Sequence, residues 1–463
     1  MRALSFSPDL AEIRFGCGLS PVIAAPVSTE AMLQGLTGPD VMADRFPIEG
    51  FDAYTGRIME IRRLRREIRE VKGQEARAPL RERRRAAMRE ASHNRGLWAA
   101  HSMLRWAHTP TGFRERLVAF WADHFTVTGK TDVMRYANAA YVESAIRPHV
   151  AGTFADMLFA AATHPVMLDF LDQTHSAGNN SEAVALANGV QGMNENLARE
   201  VLELHTLGVG GPYSQQDVRE FAELLTGITF RPPEGLKFFE NWAEPGAETV
   251  LGKTYAEAAS LDTIREALTD LALHPATAAH VARKLAVHFV SDTPEPELVA
   301  HIEARYLETG GDLLQVSGAL LEHPAAWDPR PANVKPPFDF MASAFRALAL
   351  PEKPIAALPF NRFRLRVFVP LSLMGQPWGE PSGPDGWPEE DAAWITPQSL
   401  SARLRWAIDA PQGMVRNLPD PRDFVDQALG SFATEPVRFA ASAAESRPEA
   451  IGLVLCAPAF QRR

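Results

Sequence analysis

The sequence predicts a mainly α protein: a multi-helical globular body with a small β flap and a Trp/Pro/Gly-rich ordered loop. Three observations lead there. Apolar residues recur at spacings of three and four over most of the chain, the period of an amphipathic helix. Short aromatic and β-branched runs broken by Pro and Gly are confined to 228–255, which predicts a small hairpin or flap. Residues 375–397 hold five prolines, four glycines and three tryptophans, a composition that neither helix nor regular sheet accommodates.

The bulk properties set bounds. A chain of 463 residues, 46% hydrophobic, can bury a large core. A formal net charge of −10 argues against a nucleic-acid-binding protein, which needs a basic surface. No run reaches the ~18 apolar residues of a membrane span. Asp9, Glu12 and Arg14 interrupt the N-terminus where an export signal needs an apolar stretch, so a cytoplasmic protein is expected. Cys17 and Cys456 offer no zinc spacing and read as unpaired structural thiols.

Residues 1–53 are expected to pack on the body, and 54–95 to form a basic helical hairpin. Ile58, Ile61, Leu64, Ile68 and Val71 make one apolar stripe, and Gly73 and Pro79 break the segment into two helices. From Arg57 to Glu90 there are 13 Lys/Arg against 6 Asp/Glu. The hairpin is a solvated face docked on an acidic body or a basic arm for an anionic partner; charge runs on helices favour the former. The helical body follows over 96–463. In 113–125, Phe113, Leu117, Phe120, Trp121 and His124 share a face. Helices are predicted over 136–146 and 153–172, and a surface loop over 176–189.

Residues 194–227 read as two helices joined by a glycine turn. Leu197, Val201 and Leu204 face the core, while Glu195, Arg199 and Glu203 form an acid–base–acid ladder. Ser214 and Asp217 fit a capping box. After the flap, helices are predicted at 261–273, 276–290, 297–307, 312–322, 336–349, 398–408, 421–431 and 447–455. His-Pro recurs at 164–165, 274–275 and 323–324, spacings too unequal for a solenoid, and marks helix boundaries. Trp378, Trp387 and Trp394 require the loop at 375–397 to be ordered and packed.

Chemistry-bearing residues gather in Asp123, His124, Glu195, Glu200, Glu203, His205 and Asp217. The catalytic candidates are His124, Glu200 and His205. The metal candidates are His124, Glu200, Glu203 and Asp217, a set compatible with a divalent metal. HExxH and the di-iron Glu-x-x-His spacing are both absent. A structural ladder and a core histidine are the competing reading. The turn 208–214 lacks a preceding strand, so it is a helix connector rather than a phosphate loop. No nucleophile elbow and no cofactor fingerprint occur.

The segments RFGCGLSP (14–21), RLVAFWADHFTV (116–127), NENLAREVLELHTLGVGGPYSQQDVREFAELLTG (194–227), HPATAAHVARKLAVHFVSDTPEPELV (274–299), VKPPFDFMASAFRAL (334–348) and GQPWGEPSGPDGWPEEDAAWITPQSLSAR (375–403) occur in the order found in one bacterial family. Together they resemble the uncharacterised "domain of unknown function 1800" family over essentially the whole chain. The resemblance implies a mainly helical fold. It also implies a sulfatase-like protein as partner, because members are often encoded beside a sulfatase-like secreted family, and a periplasmic location as the alternative. It carries over no catalytic residue. This chain departs from the pattern twice. Trp121-Ala122-Asp123-His124-Phe125 stands where many members have Trp-His-x-His-Phe, and NWAEPGAETVLG lacks a His-Asp pair found before the flap's Leu-Gly.

Two functions compete on these grounds. One is a helical binding or assembly protein acting with a protein partner, as the missing nucleophile and the charge asymmetry indicate. The other is a metal-assisted hydrolase built on the 194–227 helices.

Overall fold

The computed structural model describes residues 5–186, 192–256, 259–352 and 360–463. Among the described residues helix dominates and strand is confined to two small antiparallel hairpins, so the mainly α expectation with a β flap holds.

The basic pair consists of α1 (Phe51–Glu70) and α2 (Gln74–His108). Gly73, at φ +91, turns the chain between them. Pro79 does not break the second helix, contrary to expectation. It lies inside the helix, where its missing N–H leaves the Glu75 carbonyl without its rung, and the helix continues past it. Phe51, Tyr54, Ile58, Ile61 and Leu64 bury the α1 stripe. The next helix, α3 (Gly112–His124), buries Phe113, Leu117, Phe120, Trp121 and His124 on the predicted face.

The helix expected over 153–172 is two, Phe154–Ala162 and Pro165–Phe170. His164 causes the break: its Nδ1 accepts from the Val166 N–H at 3.2 Å and so caps the second helix. His274 and His323 do the same for Ala276 and Ala325, at 3.1 and 3.2 Å. The repeated His-Pro is therefore an N-cap followed by proline at the first helical position. An accepting Nδ1 requires an unprotonated ring nitrogen, and burial holds His164 at about 3. Of the loop predicted at 176–189, residues 187–189 lie outside the described residues; the rest includes one short helical turn, Glu182–Ala185.

The segment 194–227 folds as α4 (Asn196–Glu200, continuing as a π-helix over Val201–Thr206) and α5 (Gln215–Leu224). Strands β1 (Ile228–Arg231) and β2 (Gly235–Phe238), then β3 (Thr249–Val250) and β4 (Lys253–Thr254), form the flap. Helices α6 (Pro275–Phe289), α7 (Pro296–Thr309) and α8 (Leu313–Glu322) stack in turn, and α9 (Pro337–Ala347) packs along α2. Further on, α10 (Pro397–Asp409) packs on α11 (Arg447–Cys456).

Buried apolar side chains form two large clusters. One gathers the stripes of α1, α3, α4, α5 and α6. The other joins α9, α10 and α11 to the second half of α2. Both cysteines are free. No helix among the described residues is long and apolar enough to cross a membrane.

Candidate functional site

The 194–227 residues divide by role. Arg199 bonds Glu195 at 3.0 Å and Glu203 at 3.5 Å, which is the predicted ladder. Asp217 closes the capping box with Ser214, and its other oxygen accepts from Leu251 N–H at 2.7 Å, tying the flap to α5. Burial and the neighbouring Glu203 raise the Glu200 carboxyl above the usual range.

His124 and His205 do come together, with ring centroids 6.1 Å apart, and His280 of α6 joins them at 6.1 Å from His124. Two of the three act on backbone. His124 Nε2 donates to the carbonyl of His205 at 3.1 Å, and His280 Nε2 to that of Leu204 at 3.2 Å. These imidazoles take carbonyls from the end of α4, where the ladder widens to π and Leu207 N–H reaches back to Leu202. Burial first, then the charge of Lys284, holds all three rings neutral: His205 falls to about 3 and His280 to about 4. Among the described residues, no group of three or more His, Cys, Asp or Glu side chains is arranged to hold a metal ion. Of the metal candidates, Asp217 serves a cap, Glu203 the ladder and His124 a backbone carbonyl, and Glu200 stands beside Glu203 without a second ligand.

A different set of residues converges beneath the tryptophan loop, around a cavity of about 240 Å³. The face of α3 adjoining its apolar stripe supplies Arg116, Ala119 and Asp123, at i, i+3 and i+7. His288, in the last turn of α6, enters from one side. The loop brings Trp378, Trp387 and Glu389, and the start of α9 brings Phe338 and Asp339. As expected, the tryptophans are packed. Trp394 is buried, its Nε1 donating to Pro388 O at 3.1 Å, and Trp378 lies against Phe338 at 5.1 Å.

Glu389, His288, Arg116, Asp339 and Arg463 form one connected network. Glu389 accepts from His288 Nδ1 with both oxygens, at 2.8 and 3.0 Å. Arg116 donates to His288 Nε2 at 3.3 Å and to Asp339 at 2.7 Å. Asp339 also pairs with Arg463. These partners assign the His288 proton to Nδ1 and leave the ring neutral. Burial depresses His288 to about 4, against the pull of Glu389. Burial works to raise Glu389, but the charge His288 takes on when protonated, its hydrogen bond, and the nearby Arg463 and Lys284 charges outweigh it, and the carboxyl falls to about 2.

Asp123 behaves oppositely. Burial and the Glu389 charge lift it to about 7, although the Trp387 N–H donates to it at 3.0 Å. No arginine pairs with it among the described residues, in contrast to Asp339, Glu115 and Glu143 of the same wall. The loop approaches Asp123 so closely that a Cβ on Gly386 would lie 2.8 Å from both its carbonyl and a carboxylate oxygen. Gly386 has φ +81, so glycine is required there twice over.

Asp123 stands among the polar residues legible in the sequence, whereas His288, Glu389, Lys284 and Arg116 do not. One signal was available. His280, Lys284 and His288 fall at i, i+4 and i+8 of α6, a polar row beside its apolar face that joins the histidine cluster to the cavity.

The family described as "Protein of unknown function (DUF1800)" matches residues 14–462, which include every element around this cavity. No curated protein and no solved structure matches the chain. On a match of that extent, the chain belongs to the DUF1800 family of proteins of unknown function.

Proposed function

We propose that the cavity beneath the tryptophan loop is an acid–base site acting on a small ligand. One observation carries this reading: two carboxyls line the same cavity in opposite settings, Glu389 held by His288 Nδ1 at 2.8 and 3.0 Å, and Asp123 with the Trp387 N–H but no ion-pair partner among the described residues, which pulls their protons apart. Such a split assigns the roles of proton donor and permanent carboxylate. Asp123 gives its proton to a ligand oxygen or nitrogen, and its carboxylate takes a proton back. Glu389, held by His288, stays ionised and stabilises positive charge developing on the ligand. The arginines of the wall are already paired, so the ligand's polar group is a hydroxyl or a basic nitrogen rather than an anion. Trp378 and Trp387 offer flat surfaces for a ring or a cation. Glu203 and Asp217 are occupied elsewhere, so the metal-assisted hydrolase on 194–227 draws no support from this cavity.

The test is infrared difference spectroscopy of wild type against Asp123→Asn. A carboxyl band titrating near 7 is expected; titration near 4 overturns the reading. A thermal-shift panel of sugars and amines should then give hits that Trp387→Ala loses.

A further inference from the structure

The helical pair carries a second feature that the cavity does not use. A groove of about 480 Å³ runs between α1 and α2, lined by Arg65, Ile68, Arg69, Arg81, Arg84 and Arg85. Its acid complement is small. Asp132 serves both Arg65, at 2.5 Å, and Arg84, at 2.7 Å, and Arg85 reaches Glu82 at 3.7 Å. Arg69 and Arg81 have no ion-pair partner among the described residues and are exposed. Asp132 and Glu82 offset three of the five guanidinium groups, and Arg69 and Arg81 are left facing the groove without a carboxylate.

We propose that this groove docks an acidic α-helix of a partner protein. Charge spacing selects that occupant. Arg65 and Arg69, and likewise Arg81 and Arg85, are one four-residue step apart, a rise of about 6 Å along each helix. Glutamates at i and i+4 of a third helix have the same spacing and meet guanidinium forks in register. A nucleic-acid strand offers phosphates but no apolar side chain to lie against Ile68, whereas an amphipathic acidic helix offers both. Ile68, between the two arginines of α1, gives the docked helix an apolar contact.

The probe is a labelled 18-residue peptide, with glutamates at four-residue spacing and leucines on the same face, followed by fluorescence anisotropy with the full chain. Saturable binding is expected at about 50 mM salt, weakened at least tenfold at about 300 mM by screening. The triple variant Arg69→Glu, Arg81→Glu, Arg85→Glu should weaken binding at least tenfold. A glutamine version of the same three positions, with an unchanged melting temperature, guards against misfolding. A peptide of equal charge with its glutamates clustered should bind at least threefold more weakly. Absence of saturable binding, or binding indifferent to the substitutions, overturns the proposal. So does tighter binding of a short heparin fragment or polyphosphate than of the spaced peptide.

Discussion

Replacing Asp123 with Asn converts the electrostatics of the cavity into a stability measurement. The carboxyl rises from 3.8 in the open chain to about 7 in the fold. Between those values the native protein keeps a proton that the unfolded chain has lost. The stability contributed by this group is therefore complete below about pH 4, declines as pH rises, and is fully lost above about pH 7. Roughly three pK units at about 1.36 kcal/mol each amount to a loss of about 4 kcal/mol. Asparagine retains an oxygen for the Trp387 N–H but does not titrate, so Asp123→Asn should escape the decline. Any constant cost of the amide shifts the whole curve and cancels from its slope. The assay is the urea midpoint of both proteins from pH 4 to 8. Wild type should lose ground steadily to the variant across that window and hold level beyond it. Parallel curves would refute the argument, because they would mean that Asp123 ionises as it does in water.

Three further outcomes follow from neighbouring contacts. Glu389 has the opposite sign: its carboxyl falls from 4.5 to about 2, so its contribution is present above pH 4.5 and lost as pH falls towards 2. Glu389→Gln should remove that acid dependence in the same midpoint series. Gly386→Ala should cost about 2–5 kcal/mol, from a left-handed backbone and a displaced Trp387 hydrogen bond to a carboxyl; an unchanged denaturation midpoint contradicts the packing described. Asp217→Ala should cost about 1–2 kcal/mol and accelerate hydrogen exchange at the Leu251 amide, which the carboxylate holds at 2.7 Å; unaltered exchange would show that the flap is held elsewhere.

The helices were legible wherever a single apolar stripe meets a single core. Those of α1, α3, α5 and α6 lie within a few residues of their predicted ends. Caps read from local chemistry also hold, as Ser214 and Asp217 illustrate. Pro79 does not end α2 because a helix of 35 residues packed along α1 outweighs the one rung that the proline removes. The π-helical turn at Val201–Thr206 depends on His124 and His280, which approach from other helices, so periodicity within 194–227 could not reveal it. The cavity was the least legible feature. His288 and Glu389 are 101 residues apart, and Arg116 and Asp339 are 223. The density of polar residues in 194–227 drew attention to a segment whose charges are largely consumed by its own fold.

Helix α2 passes through both apolar clusters: Ala91 and Trp98 belong to one, and Ala99, Met103 and Leu104 to the other. Neither cluster can come apart without stripping one half of a continuous rod that the other still holds. The two halves of the molecule are thereby joined by a shared girder rather than by a linker, and loosening one weakens the footing of its neighbour. Destabilisation introduced far from the cavity, among the C-terminal helices, would thus reach Trp106 and Arg105 at its wall through the same rod.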